Sequence, residues 1–276
     1  AIRPIKDGVI ADFDITEAML RYFIQKAHGR RGPIKPRVVI AVPLGITAVE
    51  RRAVKNSAMN AGARRVYTIA EPMAAAVGAG LPVAEPVGSM IVDIGGGTSE
   101  VAVISLAGVV SAESLRVGGD ELDRCIMKYI KSEYNVLVGE NTAEKVKFEI
   151  GSAVPLREEL RMRIRGRDMQ TGMPREVELN SSEIAEALRE PVSAIVNTIK
   201  VVLERTEPEL AADLIERGIV LAGGSSQLRG LPEVVHRSTG LPVRIAEDPL
   251  TCVARGCAAL LEDLDRIKQI LDSEGD

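Results

Sequence analysis

Ile91-Val92-Asp93-Ile94-Gly95-Gly96-Gly97-Thr98-Ser99-Glu100-Val101-Ala102-Val103 is the stretch on which the fold turns. A β-branched run delivers Asp93 to a strand end, three glycines make a tight turn, and a second apolar strand leaves. Glycines let a backbone approach a ligand closely and aim several N–H groups at an anion. Asp93 cannot touch a phosphate directly without repulsion, so its expected part is to hold water around a Mg²⁺. The bland alternative is a glycine-rich hairpin carrying an exposed Asp. The Asp-x-Gly-Gly-Gly-Thr order inside a hairpin favours the phosphate reading.

Upstream, Val38-Val39-Ile40-Ala41-Val42 is bounded by Pro36 and Pro43 and reads as a strand buried on both faces. An amphipathic helix is expected from Thr47 to about Ala61, a strand from Arg65 to Ala70, and an Ala-rich helix from Glu71 to about Ala79. That strand–helix–strand–helix order implies a parallel sheet covered by helices. Before it, Lys6-Asp7-Gly8 marks a turn, and Thr16 is expected to cap a helix running to about Ala27. Glu71 ends a strand and opens a helix, where a carboxylate gains from the helix dipole. It is either a plain helix-start acid or the group that orients or deprotonates a water attacking a γ-phosphate.

Downstream, strands at Met90–Asp93, Glu100–Leu106 and Val109–Val117 read as an antiparallel meander, followed by helices over Asp120–Tyr134 and Thr142–Gly151. Gly118-Gly119-Asp120 joins meander to helix and offers backbone N–H groups near a helix start. Glu144, Lys145 and Lys147 sit on the next helix, and a solvated face is their default reading. Arg157 to Leu179 reads as a two-stranded insert. A long helix from about Ser182 to Thr206 follows, with Asn180 and Glu183 spaced as a capping box and Pro191 placed to kink it. The strand Gly218–Ala222 ends in Gly223-Gly224-Ser225-Ser226, a second glycine turn after a buried strand. Two such turns, in separate domains, are what a nucleotide clamped between domains needs. A strand at Val243–Ile245 and a helix from Leu250 to about Leu271 close the chain. Glu71-Pro72-Met73 and Asp248-Pro249-Leu250 each open a helix after a strand, a faint internal echo.

The 276 residues suffice for two domains. Aromatics are only 3% and Trp is absent, so the cores must be aliphatic. A formal charge of −4 argues against a nucleic-acid binder. Cys125, Cys252 and Cys257 form no CxxC pair and suit a reducing cytoplasm as small buried hydrophobes. No apolar run reaches the roughly 18 residues of a membrane span, and no signal peptide opens the chain.

Taken together these residues resemble the actin, hexokinase and DnaK-type superfamily of ATPases, and within it the MreB family of bacterial actin homologues. The likeness extends to Ile2-Arg3-Pro4, Asp7-Gly8-Val9-Ile10-Ala11-Asp12, Lys35-Pro36-Arg37-Val38-Val39-Ile40, Val49-Glu50-Arg51-Arg52 and Ile215-Glu216-Arg217-Gly218-Ile219. It implies an α/β, actin-like (ribonuclease H-like) duplicated fold with two domains around a nucleotide cleft. Residues 1–84 would be the remainder of the first domain and 85–276 the second, with a small insert at about 152–215. The resemblance assigns Asp93, Gly95, Gly96, Gly97 and Thr98 to a phosphate loop with ATP or ADP and Mg²⁺, the metal held by Asp93 through water. Glu71 would position the hydrolytic water with Thr98 assisting. Gly118, Gly119 and Asp120 would face the nucleotide, Glu144, Lys145 and Lys147 the ribose and base, and Gly223, Gly224, Ser225 and Ser226 the adenosine. It implies a cytoplasmic, membrane-associated filament that polymerises with ATP, apposes the inner membrane and guides the cell-wall elongation machinery in rod-shaped bacteria.

Two departures matter. Relatives open on an Asp-Leu-Gly-Thr phosphate loop that occurs nowhere here, which with Ala at position 1 suggests an N-terminal truncation. Losing about three charge-assisted contacts at about 1.5–3 kcal/mol each weakens ATP roughly a thousandfold or more. A scaffold that binds a partner without nucleotide is therefore the alternative function. Second, His28 to Lys35 replaces an apolar membrane loop. Arg30, Arg31 and Lys35 would meet anionic lipid at about 1 kcal/mol each, and a solvated basic loop is an equal reading. A sugar or acetate kinase lacks a candidate base here, and a chaperone would need a long C-terminal half.

Overall fold

The computed structural model describes residues 4–6, 9–10, 12–28 and 35–262. Two short strands open it, β1 (Ile5–Lys6) and β2 (Val9–Ile10), paired antiparallel. The turn expected at Lys6-Asp7-Gly8 lies outside the described residues, as does most of the basic loop between His28 and Lys35. Helix α1 (Phe13–His28) starts three residues before the expected position. Asp12, not Thr16, is its cap: Asp12 Oδ1 accepts from the Ile15 N–H at 3.0 Å, while the Thr16 hydroxyl donates back to the Asp12 carbonyl at 2.7 Å.

Strand β3 (Arg37–Val42), helix α2 (Ala48–Asn60), strand β4 (Arg65–Ala70) and helix α3 (Glu71–Gly78) follow in the expected order. β3 and β4 pair in parallel from Arg37↔Arg65 to Val42↔Ala70. Thr47 and Glu50 close a capping box on α2. β3 is not buried on both faces: only Val42 is fully buried, because within the described residues β4 is its sole sheet neighbour.

Strands β5 (Ser89–Ile94), β6 (Ser99–Ser105) and β7 (Gly108–Leu115) form the meander. Helix α4 (Gly119–Tyr134), the short β8 (Val136–Leu137) and helix α5 (Glu140–Ile150) come next. The insert is β9 (Arg161–Asp168) with β10 (Pro174–Asn180), and β8 adds a third strand that was not expected. The long helix is two: α6 (Ser181–Ala187), capped by the Asn180–Glu183 box, and α7 (Arg189–Arg205). The break falls at Leu188, which places Pro191 in the first turn of α7, where its missing N–H costs nothing. Helix α8 (Pro208–Arg217) is an element that sequence reading missed.

Strand β11 (Ile219–Ala222), helix α9 (Leu231–Thr239), strand β12 (Val243–Ile245) and helix α10 (Cys252–Glu262) complete the described chain. The main sheet runs β12-β11-β5-β6-β7, with β11 parallel to both β5 and β12. Its two faces bury two cores. Met90, Val92, Val101, Val103 and Leu221 pack toward α4, α5 and α7, while Ile91, Ala102, Ile104 and Val220 pack toward α3 and α10. That is why residues of either parity in β5 and β6 are apolar. Of the cysteines, Cys252 is fully buried but Cys125 and Cys257 are only partly so. Burial raises all three thiols above their ordinary range.

Candidate functional site

β5 carries Asp93 to the carboxyl end of the main sheet, and the Gly95 N–H donates to the Thr98 carbonyl at 2.9 Å to close the turn. Both Asp93 and Thr98 are buried, at 7% and 8% exposed. Because β11 lies beside β5 with Ala222 opposite Asp93, the Gly223–Ser226 turn leaves the sheet directly next to Asp93. The two turns are fastened together: the Ser225 hydroxyl donates to the Gly95 carbonyl at 2.9 Å. Gly223 sits at φ +80, and a methyl group there would stand 2.3 Å from the Ile94 carbonyl oxygen and 2.6 Å from Asp93 Oδ1. Only glycine fits both the backbone and the space.

The expectation that these turns belong to separate domains is wrong. They are neighbours on one sheet, because the crossover from β5 to β11 spans helices and an insert whose return address no local pattern encodes.

A third glycine pair joins the same point. The Gly119 N–H donates to the Gly95 carbonyl at 3.0 Å and the Asp120 N–H to the Gly96 carbonyl at 2.8 Å. These N–H groups were expected to face a ligand; they are bonded to the backbone of the Gly95–Thr98 turn. A methyl at Gly118 would stand 2.6 Å from the Gly96 carbonyl oxygen, so the two turns touch backbone to backbone. The Ser226 hydroxyl is likewise spent on its own turn, donating to the Gly223 carbonyl at 2.7 Å.

Three carboxylates face one space beside the loop. Glu71 opens α3, Asp93 ends β5, and Glu100 on β6 is the register partner of Asp93. Burial first, then the charges of Asp93 and Glu100, pushes Glu71 up to about 7. Burial and the Glu100 charge push Asp93 up to about 7 as well. Glu100, only 1% exposed, is raised by burial, with hydrogen bonds from Ser114 and Leu44 opposing the shift. Among the described residues none of the three has a Lys or Arg partner. Nor do three His, Cys, Asp or Glu side chains stand close enough to ligate a metal directly. Buried carboxylates short of positive charge, beside a loop rich in backbone N–H, fit a hydrated Mg²⁺ with its phosphates. Glu100 was missed as a site residue; its signal was a charged side chain inside an otherwise apolar strand.

On the far side of the Gly119 turn, a cavity of about 300 Å³ is lined by Lys147, Phe148, Gly224, Ser225 and Arg229 among others. Lys147 is buried, and its ammonium donates to the Gly119 carbonyl at 3.1 Å and to Asp123 Oδ2 at 2.9 Å. Asp123 Oδ1 is buried without a partner. Phe148, 63% exposed, is a cavity-lining residue that sequence reading missed. The signal available was a bulky aromatic next to Lys147 in a chain with 3 Phe. Arg229 fixes the cavity wall by donating to the Phe148 carbonyl at 2.9 Å. Glu144 is exposed on the same helix face as Lys147, three residues away, whereas Lys145 is exposed on the opposite side of α5 and is not brought to the site.

Glycine turns interlocked at the carboxyl end of a mixed sheet, beside a second parallel unit whose helix begins with a half-buried Glu, define the actin-like ATPase fold. Comparison with known proteins agrees. The MreB/Mbl protein family profile matches residues 1–269. The chain is 56% identical over 267 residues to the cell shape-determining protein MreB of Escherichia coli K12, covering 96% of this chain and 77% of that protein. It is 47% identical over 267 residues to the cell shape-determining protein Mbl of Bacillus subtilis 168, covering 97% of this chain and 80% of the relative. The crystal structure of MreB5 of Spiroplasma citri bound to AMPPNP superposes with a TM-score of 0.89 at 38% identity, covering 96% of this chain and 80% of that one. The chain belongs to the MreB/Mbl family.

Proposed function

We propose that the chain is the nucleotide-holding body of a cytoskeletal ATPase that polymerises into membrane-associated filaments and directs cell-wall synthesis in rod-shaped cells. One observation carries this reading: Asp93 and Glu71, both pushed up to about 7 and without a cationic partner among the described residues, flank a loop whose glycines are locked by Ser225 and Gly119. In this reading residues 1–84 and 85–276 are the two actin-like domains, with an insert at about 152–215. The nucleotide phosphates rest on the Gly95–Thr98 backbone. Mg²⁺ supplies neutralisation of the charge that develops on the transferred phosphoryl group. Asp93 orients its water shell. Glu71, held near neutrality, is suited to take a proton from the attacking water, since a general base works best with a pKa close to the ambient pH. Thr98 assists in placing that water. The adenosine lies in the cavity beside Gly224 and Phe148, and Glu144 reaches the ribose.

The 276 residues contain no Asp-Leu-Gly-Thr stretch, so by themselves they bind Mg-ATP weakly. A micromolar or tighter affinity by titration calorimetry overturns that part. Nucleotide-dependent sedimentation of a form that carries the stretch tests the function: pelleting with Mg-ATP supports the filament ATPase. Equal pelleting with and without nucleotide supports the scaffold reading instead. Membrane attachment rests on the basic residues Arg30, Arg31 and Lys35, which lie at or beyond the edge of the described residues. Flotation with vesicles that is indifferent to anionic lipid removes it. No helix among the described residues is long and apolar enough to cross a membrane.

A further inference from the structure

The main sheet and the β3–β4 unit are joined at one buried charged group. Glu100 on β6 is 1% exposed and bonded at both carboxylate oxygens. Oε1 accepts from the Ser114 hydroxyl of β7 at 2.6 Å, and Oε2 accepts from the Leu44 N–H at 3.2 Å. Asp93, Glu100 and Ser114 are register partners on three adjacent strands, and the middle one, Glu100, also reaches off the sheet to the turn that follows β3. That turn joins β3 to α2, and β3 runs in register with β4, whose last residue Ala70 precedes Glu71. The turn residues Pro43 and Ile46 line the same cavity as Glu71. An apolar residue at position 100 would satisfy the alternation of β6 but would leave the Leu44 N–H without this acceptor.

We propose that Glu100 is a positioning residue: it clasps the Pro43–Ile46 turn to the phosphate-loop sheet and thereby sets where Glu71 stands relative to Asp93. The proposal rests on the reading that Glu71 acts on the attacking water. In this role Glu100 acts through the Leu44 N–H and not on the reacting atoms: it fixes the distance between the unit that carries Glu71 and the sheet that carries Asp93. A side chain that only stabilised the fold would change the melting temperature and leave the hydrolysis step alone.

Two substitutions separate these outcomes. Glu100→Gln keeps the clasp, since its amide oxygen accepts from the Leu44 N–H while its NH₂ donates to the Ser114 hydroxyl. Glu100→Leu, of similar volume, cannot. Ser114→Ala removes the β7 bond alone. In the chain as it stands, amide exchange at Leu44 is expected to quicken by at least about tenfold in Glu100→Leu, and to stay within about threefold of the parent in the other two variants. Single-turnover hydrolysis at saturating Mg-ATP is expected to fall by about tenfold or more in Glu100→Leu with the nucleotide Kd changed by less than about threefold, and to be rescued in Glu100→Gln. Unchanged Leu44 exchange in a folded Glu100→Leu, or faster exchange with unchanged hydrolysis, overturns the clasp. Glu71→Gln run alongside isolates the underlying reading. If it hydrolyses at the parent rate, the assignment of Glu71 fails and the clasp's catalytic role with it. If Glu71→Gln is inactive while Glu100→Leu is normal, the clasp alone fails.

Discussion

A methyl group on Gly78 would stand 1.8 Å from the carbonyl oxygen of Cys252, and Gly256, one helical turn beyond Cys252, stands in the same relation to Ala74 at 1.9 Å. Helices α3 and α10 thus cross backbone to backbone, each supplying one glycine to the other's small residue four positions earlier. The crossing is where the echo between Glu71-Pro72 and Asp248-Pro249 becomes physical: each acid–proline pair follows a strand and leads into a helix that takes part in this contact, α3 through its end and α10 through its start. No rotamer relieves a clash with a backbone carbonyl. Gly78→Ala and Gly256→Ala are each expected to destabilise the chain by about 1–3 kcal/mol or more. The double variant should lose less than the sum, because the first methyl already separates the helices. Chemical denaturation of the three variants checks this, and full additivity would count against a shared contact.

The acidic cluster predicts an unusual pH dependence. Asp93 is raised from 3.8 to about 7 and Glu71 from 4.5 to about 7. The unfolded chain ionises both near pH 4, whereas the folded chain keeps their protons until about pH 7. Between those values the native state binds more protons than the unfolded state, so stability is fully present at the acid end and falls as pH rises. Asp168, held down to about 2 by backbone hydrogen bonds from Thr171 and by Arg175, acts below this window. In buffer with a chelator and no nucleotide, the melting temperature should therefore be higher at pH 5.5 than at pH 8. Asp93→Asn should remove much of that slope and stabilise the metal-free chain at pH 8 by roughly 2–4 kcal/mol. A melting temperature that rises from pH 5.5 to 8 would contradict the cluster's electrostatics.

Gly223 predicts a separation of two losses. Ala at this position needs an unfavourable positive φ and collides with Ile94 and Asp93. Gly223→Ala is expected to cost about 2–4 kcal/mol of stability. By pushing β11 off β5 it should also abolish binding of a fluorescent ATP analogue at concentrations where the parent still responds. Gly240→Ala, likewise at a positive φ (+73) but with open space around its methyl, should cost only about 1 kcal/mol and leave the analogue signal intact. Equal stability losses would mean that the close approach at Gly223 contributes nothing beyond backbone strain.

The parts of the site that were legible in the sequence are those written locally. Asp93 and its glycines announce a strand, a turn and a strand within thirteen residues, and the Asn180–Glu183 and β4–Glu71 junctions are equally short-range. What was not legible depends on return addresses. Nothing near Gly223 says that β11 lies against β5 with Ala222 opposite Asp93, so the two turns were assigned to different domains. The Gly119 N–H was read as a ligand donor because its true acceptor, the Gly95 carbonyl, is more than twenty residues away in the chain. Helix α8 was hidden because Thr206-Glu207-Pro208 reads as a loop, and Pro at a first helical position looks the same as a breaker until the helix is seen. Glu100 was visible as a charge in an apolar strand, but its partner Leu44 lies in the turn after β3, far away in the chain.

Lys147 supplies the last prediction. Its ammonium was expected to face the ribose or base; it lines the cavity beside Phe148 and is bonded there to the Gly119 carbonyl and to Asp123, both buried. Removing it strands the Asp123 carboxylate, which has one oxygen unpartnered already. Lys147→Met is therefore expected to destabilise the chain by about 3–5 kcal/mol, the usual cost of breaking a buried pair on one side. Lys147→Met combined with Asp123→Leu removes both charges and should recover most of that loss, since a buried pair replaced by apolar groups is often neutral. Nucleotide binding separates the two possible roles. If Lys147 only braces the Gly119 turn, the double variant regains analogue binding along with its stability. If Lys147 touches the ribose directly, stability returns and binding does not. Thermal unfolding and fluorescence titration of the same samples read both.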